Sequence, residues 1–204
     1  SDVCSSDLAQ INYNGDRYGY QAERLAIGRD FDPQVGFMRR EDTHKSRAQF
    51  RFSPRPRNRF KAVRKFSYSA SIEYFTDSDH EFESRERRVE FETDFQSSER
   101  FQFNLVDFRE RLVAPFAIAR GVTIPTGDYH YTGIESTFLI GQQRKASGTL
   151  GFETGSFYGG TRTAVSFNAA RIKVTPQLAF EPGVSVNHVE LPWGDFVEIG
   201  RAHV

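Results

Sequence analysis

The chain has 204 residues, enough for one domain, and its 27 Lys and Arg balance 27 Asp and Glu, so it lacks the excess positive charge of a dedicated nucleic-acid binder. It contains no apolar run of about 18 residues, which excludes a transmembrane helix. Mean hydropathy is polar, yet there are 20 Phe and 8 Tyr against one Trp and one Met, a composition that suits a sheet with one apolar and one wet face better than a core built on Leu and Ile.

The ends come first in the chain and change the later counts. Asp2 to Leu8 can be written GAC GTG TGC TCT TCC GAT CT, and the reverse complement of that string encodes Ile199 to Val204, with Glu198 completed by one further base. The string resembles a common sequencing adapter, so residues 1–8 and 198–204 are expected to be artefactual and are set aside from fold reasoning. Cys4, the only cysteine, leaves with them, as does His203. Residues 9–197 remain, with a charge of about +2 once Arg201, Asp2, Asp7 and Glu198 are removed.

After a turn at Asn14-Gly15-Asp16, a long link over 28–42 and a short turn from Pro54 to Arg59, alternation becomes strict. Phe66, Tyr68, Ala70, Ile72 and Tyr74 share one face, and Lys65, Ser67, Ser69, Ser71 and Glu73 the other, which predicts a half-buried strand. Beyond a link at Thr76 to His80, Val89, Phe91, Thr93 and Phe95 alternate with Arg88, Glu90, Glu92 and Asp94. A short turn at Gln96 to Glu99 leads to Phe101, Phe103 and Leu105, which alternate with Gln102 and Asn104. A long link over 113–128 and a short turn at Gly141 to Gln143 precede Leu150, Phe152 and Thr154; Val165, Phe167 and Ala169, and then Phe180, Pro182, Val184 and Val186, repeat the pattern. The links at Gly159 to Thr161 and Glu190 to Gly194 are read as longer ones, and Thr175-Pro176 as short.

Glu81 to Phe95 and Arg144 to Tyr158 each run about fifteen residues without a strong break. Globular strands average about 5–6 residues, whereas a tilted membrane-spanning strand takes about 9–11. Alternating short and long links are also what a membrane barrel produces. The expected fold is therefore all-β, a long antiparallel meander of about ten strands that forms part of a transmembrane β-barrel and is an open, curved sheet in isolation. Phe66, Tyr68, Ile72, Phe91, Phe101, Phe103, Phe152 and Phe167 are expected to face lipid. Glu73, Arg85, Arg87, Glu90, Glu92 and Asp94 form the expected lumen charge ladder, too charged for a dry core but suited to a wet lumen. Tyr18, Tyr20, Tyr74, Phe75, Phe108, Phe116, Tyr129, Tyr131, Phe157, Tyr158 and Trp193 lie near strand ends, where a barrel carries its aromatic girdles.

The stretches Asn14-Gly15-Asp16-Arg17-Tyr18-Gly19-Tyr20-Gln21-Ala22-Glu23-Arg24, Phe31-Asp32-Pro33-Gln34-Val35-Gly36-Phe37-Met38-Arg39-Arg40, Gln49-Phe50-Arg51-Phe52-Ser53-Pro54-Arg55-Pro56 and Gly141-Gln142-Gln143-Arg144 resemble an uncharacterised bacterial family. In that family a family-9-type carbohydrate-binding domain precedes a large outer-membrane barrel. The resemblance spans most of residues 9–197 and falls in the barrel part. It implies secretion, outer-membrane insertion and a link to glycans through a domain outside this chain. It brings no catalytic residues.

Within the chain no Gly-x-Ser-x-Gly, Walker or dinucleotide motif occurs, and His44, His80, His130 and His188 lack metal-ligand spacing. No catalytic residue, metal or cofactor is expected. Asp77, Asp79, Glu81 and Glu83 read as a solvated loop, with Ca²⁺ as the alternative. Arg55, Arg57, Arg59, Lys61, Arg64 and Lys65 form a basic turn cluster, suited to ion pairing with acidic neighbours or to anionic lipid or a periplasmic partner. The expected partners are membrane lipid and an oligosaccharide cargo or ligand, with no nucleic acid. Three functions stay open: a channel or uptake component, a non-transporting barrel that carries a glycan-binding or hydrolytic domain elsewhere, and a soluble cell-surface β-protein.

Overall fold

A computed structural model describes residues 6–28, 43–56, 60–77, 79–141, 143–173, 175 and 178–201. They form fourteen strands: β1 Ser6–Asn14, β2 Tyr18–Ile27, β3 Thr43–Phe52, β4 Val63–Thr76, β5 Phe82–Phe95, β6 Arg100–Leu112, β7 Phe116–Ala119, β8 Val122–Ile124, β9 Gly127–Ile140, β10 Ala146–Phe157, β11 Gly160–Lys173, β12 Ala179–Phe180, β13 Val184–Leu191 and β14 Gly194–Arg201. Eleven of them make one antiparallel meander in the order β1-β2-β3-β4-β5-β6-β9-β10-β11-β13-β14. Short β12 pairs with β11 beside this path, and β7 and β8 form a separate hairpin. The sheet is not closed, since its path ends on β1 and β14. Ser6–Leu8 and Glu198–Arg201, set aside on sequence, continue β1 and β14 as paired strand.

Long runs of unshifted register carry each side-chain face through the whole sheet. One row runs Tyr18, Phe52, Tyr68, Phe91, Phe103, Ser136, Phe152, Val165, Val186, Ile199, strand by strand. The adjacent row, on the opposite face, runs Gly19, Arg51, Ser69, Glu90, Asn104, Glu135, Glu153, Ala164, Asn187, Glu198. The apolar row is the bare one. Phe152 is 45% exposed and Val165 54%, whereas Asn104 on the polar face is 5% exposed. Among the described residues only the small β7–β8 sheet covers part of either face, at one end of the polar side, and the rest of that side is sheltered by its own side chains leaning over one another. The polar face is called inner below, and the other outer.

Call lower the end that carries residues 15–17, 53–56, 60–62, 96–99, 143–145 and 178–183, and upper the end with Gly28, 79–81, 113–126, 158–159 and 192–193. In the lower half, apolar residues point outward. In the upper half the phase reverses. Asp107 and Arg109 of β6, His130 of β9, His188 and Glu190 of β13 and Asp195 of β14 take the outer positions. Phe108, Tyr129, Tyr131, Phe157, Val189, Leu191 and Phe196 take the inner ones. The hairpin β7–β8 packs on this inner patch. Ile124 is 0% exposed and Val189 1%, and Val122, Tyr158 and Leu191 are buried with them against Leu112, Tyr129, Tyr131, Phe157 and Phe196.

The link lengths do not alternate as the sequence reading expects. The upper links 158–159 and 192–193 are two-residue turns, while the lower links 53–62 and 174–183 are longer. Tyr158 and Gly159 both have positive φ, 45° and 77°, the pattern of a type I′ hairpin turn. A tyrosine holds the first of these positions because its ring is clamped edge-on against Tyr129 and Phe157. The link over 28–42 lies outside the described residues apart from Gly28, so the Phe31 to Arg40 motif has no structural account.

Candidate functional site

The inner face is where polar chemistry collects. Its arrangement follows from the parity of each strand, which sends every second residue inward. From β5 it takes Glu86, Arg88, Glu90, Glu92 and Asp94. Arg85 and Arg87, grouped with these on sequence, stand on the outer face instead, in register with Tyr74 and Ile72. Strict alternation explains this, because both share the parity of Val89 and Phe91. Arg85 pairs there with Asp107 at 3.2 Å.

The remaining ladder residues meet partners that sequence reading missed. Glu73 sits between Lys45 at 3.4 Å and Arg47 at 3.9 Å, and Lys45 also reaches Glu23 at 3.5 Å. Gln102 donates to Glu90 at 2.7 Å. Arg100 bridges Glu92 at 3.5 Å and Asp94 at 2.9 Å, and Arg64 reaches Asp94 at 3.4 Å. Higher up, Arg88 joins Glu86 at 2.9 Å and Glu135 at 2.5 Å, and Asn104 donates to Glu135 at 2.9 Å. Arg162 donates to Glu153 at 3.2 Å and to Asn187 at 3.1 Å. Glu135, Glu153 and Arg162 are separated by long stretches of sequence, so only the register of β9, β10 and β11 brings them together.

The basic turn cluster does not form one patch among the described residues. Arg55 pairs with Asp16 at 2.6 Å, Arg64 with Asp94, and Lys65 faces inward level with Asp94. Lys61 is exposed in the turn, and Arg57 and Arg59 lie outside the described residues. All eight residues expected to face lipid share the outer face: Phe66, Tyr68 and Ile72 of β4, Phe91 of β5, Phe101 and Phe103 of β6, Phe152 of β10 and Phe167 of β11.

The expected aromatic girdle divides. Tyr18 stacks on Phe52 at 5.2 Å, and Tyr20 stacks on Tyr13 at 5.5 Å, on the lower outer face. Phe108, Tyr129, Tyr131 and Phe157 instead belong to the inner face, where Phe108 stacks on Tyr131 at 5.1 Å and Tyr131 meets Phe157 edge-on at 5.6 Å. The signal for this was present in the chain. In Leu105-Val106-Asp107-Phe108 the apolar phase slips by one residue, and Asp128-Tyr129-His130-Tyr131 repeats the slipped phase. Burial, and then the hydrogen bond with Glu110, holds the Tyr158 hydroxyl protonated well above the usual tyrosine range.

Below the hairpin, Phe108, Tyr131 and Phe157 wall a recess of about 260 Å³ whose other sides carry Glu86, Arg88, Glu135, Glu153 and Arg162. Gly133 and Gly155 form its floor. There the backbones of β9 and β10 lie so close that a Cβ on Gly155 would meet the Thr132 carbonyl oxygen and the Gly133 Cα.

Outside this face, His130 pairs with Asp107 at 2.5 Å, His188 lies 3.8 Å from Glu190, and the His44 and His80 rings stand 5.4 Å apart. The described residues contain no group of three His, Cys, Asp or Glu set to hold a metal. In the 77–81 loop Asp77 accepts the Glu81 amide at 2.8 Å. At the lower end Glu99 accepts from Arg144 at 2.8 Å, and Gln143 donates to the Ser97 carbonyl, so the turns 96–99 and 141–145 are clipped together. The Ser97 hydroxyl, followed by Arg144, holds the Glu99 carboxyl below the usual carboxylate range.

Comparison with family models, with curated proteins and with solved structures finds no match to this chain.

Proposed function

We propose that the chain is a wall segment of a bacterial outer-membrane β-barrel, with lipid against its lower outer face and a polar passage along its inner face. The carrying observation is the pair of adjacent rows, apolar on the bare face and charged on the sheltered one. A soluble sheet places them the other way round. A membrane barrel needs an apolar outer band and tolerates a wet interior.

A second observation supports the reading. The level at which outer residues turn from apolar to charged is lower in β5 than in β2 and lower again in β13, although Tyr74 of β4 and Val197 of β14 lie above that line. It lies between Ala22 and Arg24 in β2, between Val89 and Arg87 in β5, and between Val186 and His188 in β13, one outward position lower at each stage. The upper turns step the same way: β9 begins at Gly127, whereas Phe157 of β10 extends the row of Tyr131, so β10 ends four residues lower. Strands that tilt through a membrane produce such a drift, because a plane parallel to the bilayer crosses the rows obliquely.

On this reading the parent is a channel or uptake component, and the family resemblance assigns it oligosaccharide as cargo. The inward hairpin favours one competing reading, a barrel that carries a glycan-binding or hydrolytic domain elsewhere and passes nothing. Refolding of the full-length parent, in which the wall would close, into lipid vesicles tests the proposal. Detergent-dependent solubility and heat-modifiable migration on gels are expected, and a freely water-soluble monomer overturns it. Conductance across a planar bilayer separates a channel from a closed barrel.

A further inference from the structure

We infer that the inner recess beneath the β7–β8 hairpin is a binding subsite for the ring of a neutral polyhydroxylated ligand, a saccharide rather than an anion or a cation. As a subsite for cargo it rests on the barrel reading; as a binding site it stands on its own geometry. Three features carry it.

The first is size and shape: about 260 Å³, with Tyr131 and Phe157 bounding the recess on one side and packing against the hairpin core on the other. A space of this volume takes one or two sugar rings and is too small for a folded partner.

The second is the wall. Phe108, Tyr131 and Phe157 lie on one side, and Arg162 sits 5.6 Å from the Phe157 ring centre. Aromatic walls accept the C–H face of a sugar ring, as small-ligand sites combine apolar lining with a few placed polar groups.

The third is charge. Arg88 is held by Glu86 and Glu135, and Arg162 by Glu153. Three carboxylates and two guanidiniums leave a formal charge of only −1, and hydroxyl groups can donate to the carboxylates and accept from the guanidiniums without separating any ion pair. A charged ligand would have to break one and leave a half-buried partner unsatisfied, which is costly. Gly133 and Gly155 add no side chains to the floor, and at Gly155 the close approach of β9 leaves no room for one.

The parent barrel that contains this chain, inserted in lipid vesicles, is titrated by calorimetry with maltotriose, cellotriose and xylotriose, and with trigalacturonate as the charged counterpart. At least one neutral trisaccharide is expected to bind saturably, at least tenfold more tightly than trigalacturonate. The double variant Glu153→Gln/Arg162→Gln, which removes both charges and leaves neutral amides, should weaken that binding tenfold or more. Outer-face Arg87→Gln should leave it unchanged. Circular dichroism and heat-modifiable migration confirm that each variant is folded and inserted. Inserted protein that binds none of the neutral sugars, that prefers trigalacturonate, or whose binding survives the double substitution overturns the subsite while leaving the barrel reading standing. Failure to insert, with saturable sugar binding retained in solution, overturns the barrel and leaves the subsite.

Discussion

Arg88 on β5 donates to Glu135 on β9 at 2.5 Å, reaching over the intervening strand β6 on the inner face. Asn104 of β6 donates to the same carboxylate from below the bridge. A contact that skips a strand needs the flanking strands to lean toward one another, so it ties the curvature of the wall to its polar face. Arg88→Met should therefore cost more than removal of a surface ion pair, about 1–2 kcal/mol after allowance for partial solvent screening. Arg87→Met, on the outer face, should cost under about 0.5 kcal/mol. Urea midpoints of the two variants of the parent in vesicles make the comparison. Equal losses would mean that the bridge over β6 does not hold the wall.

Val165 is 54% exposed on the lower outer face. In water, Val165→Arg at so open a position is close to neutral. Against lipid, Val165 stands at the upper margin of the apolar band, where Arg is expected to cost about 1 kcal/mol, whereas Phe167→Arg, one outward position deeper, is expected to cost about 2–4 kcal/mol, the range for Arg on the lipid face near the bilayer midplane. Val89→Arg, with the same exposure, should behave alike. Thr163→Arg, one outward position above Val165 and past the apolar band, should cost about 1 kcal/mol or less. Refolding yield of the parent into vesicles, with equilibrium unfolding where reversible, gives these values. A flat profile along β11 would remove the lipid from the account.

Much of this sheet was legible in the chain. Period-two runs such as Phe66 to Tyr74 fix which residues share a face, and the meander follows from long strands joined without helices. Two features were harder to read. Arg85 and Arg87 drew attention as charges, although parity with Val89 already placed them outside. The aromatic cluster of Phe108, Tyr131 and Phe157 was hidden because amphipathic rings near strand ends suit a membrane boundary as well as an inner core, and only pairing to β13 and to the hairpin decides between them. Residues 116–124 carry no alternation long enough to announce a hairpin, and its partners Val189 and Leu191 come from the far side of the sheet.

The hairpin gives a local prediction. Ile124 is fully buried, so Ile124→Asp places a carboxylate in an apolar cluster and should detach β7–β8 without unfolding the meander, whose pairings do not involve it. Ile124→Ala should cost about 2–5 kcal/mol locally. Gly194, next to Trp193, abuts Val122 of the hairpin, so Trp193 emission should shift red on release. Protease cleavage within 113–126 should rise sharply while the sheet signal in circular dichroism holds. On the channel reading, Ile124→Asp should also raise conductance.

The lower clip responds to acid. With its folded pKa below the usual value, Glu99 stabilises the joined turns 96–99 and 141–145 at any pH above the ordinary carboxylate range. That contribution fades as pH falls through the depressed folded pKa, when the protonated carboxyl no longer holds Arg144. Cleavage after Arg144 and Lys145 should thus be slow at pH 7 and faster at pH 3, followed with an acid-tolerant protease and mass spectrometry. Glu99→Gln should be cleaved quickly at both pH values. Arg144→Gln removes the other half of the clip and should likewise be cleaved quickly after Lys145 at both pH values.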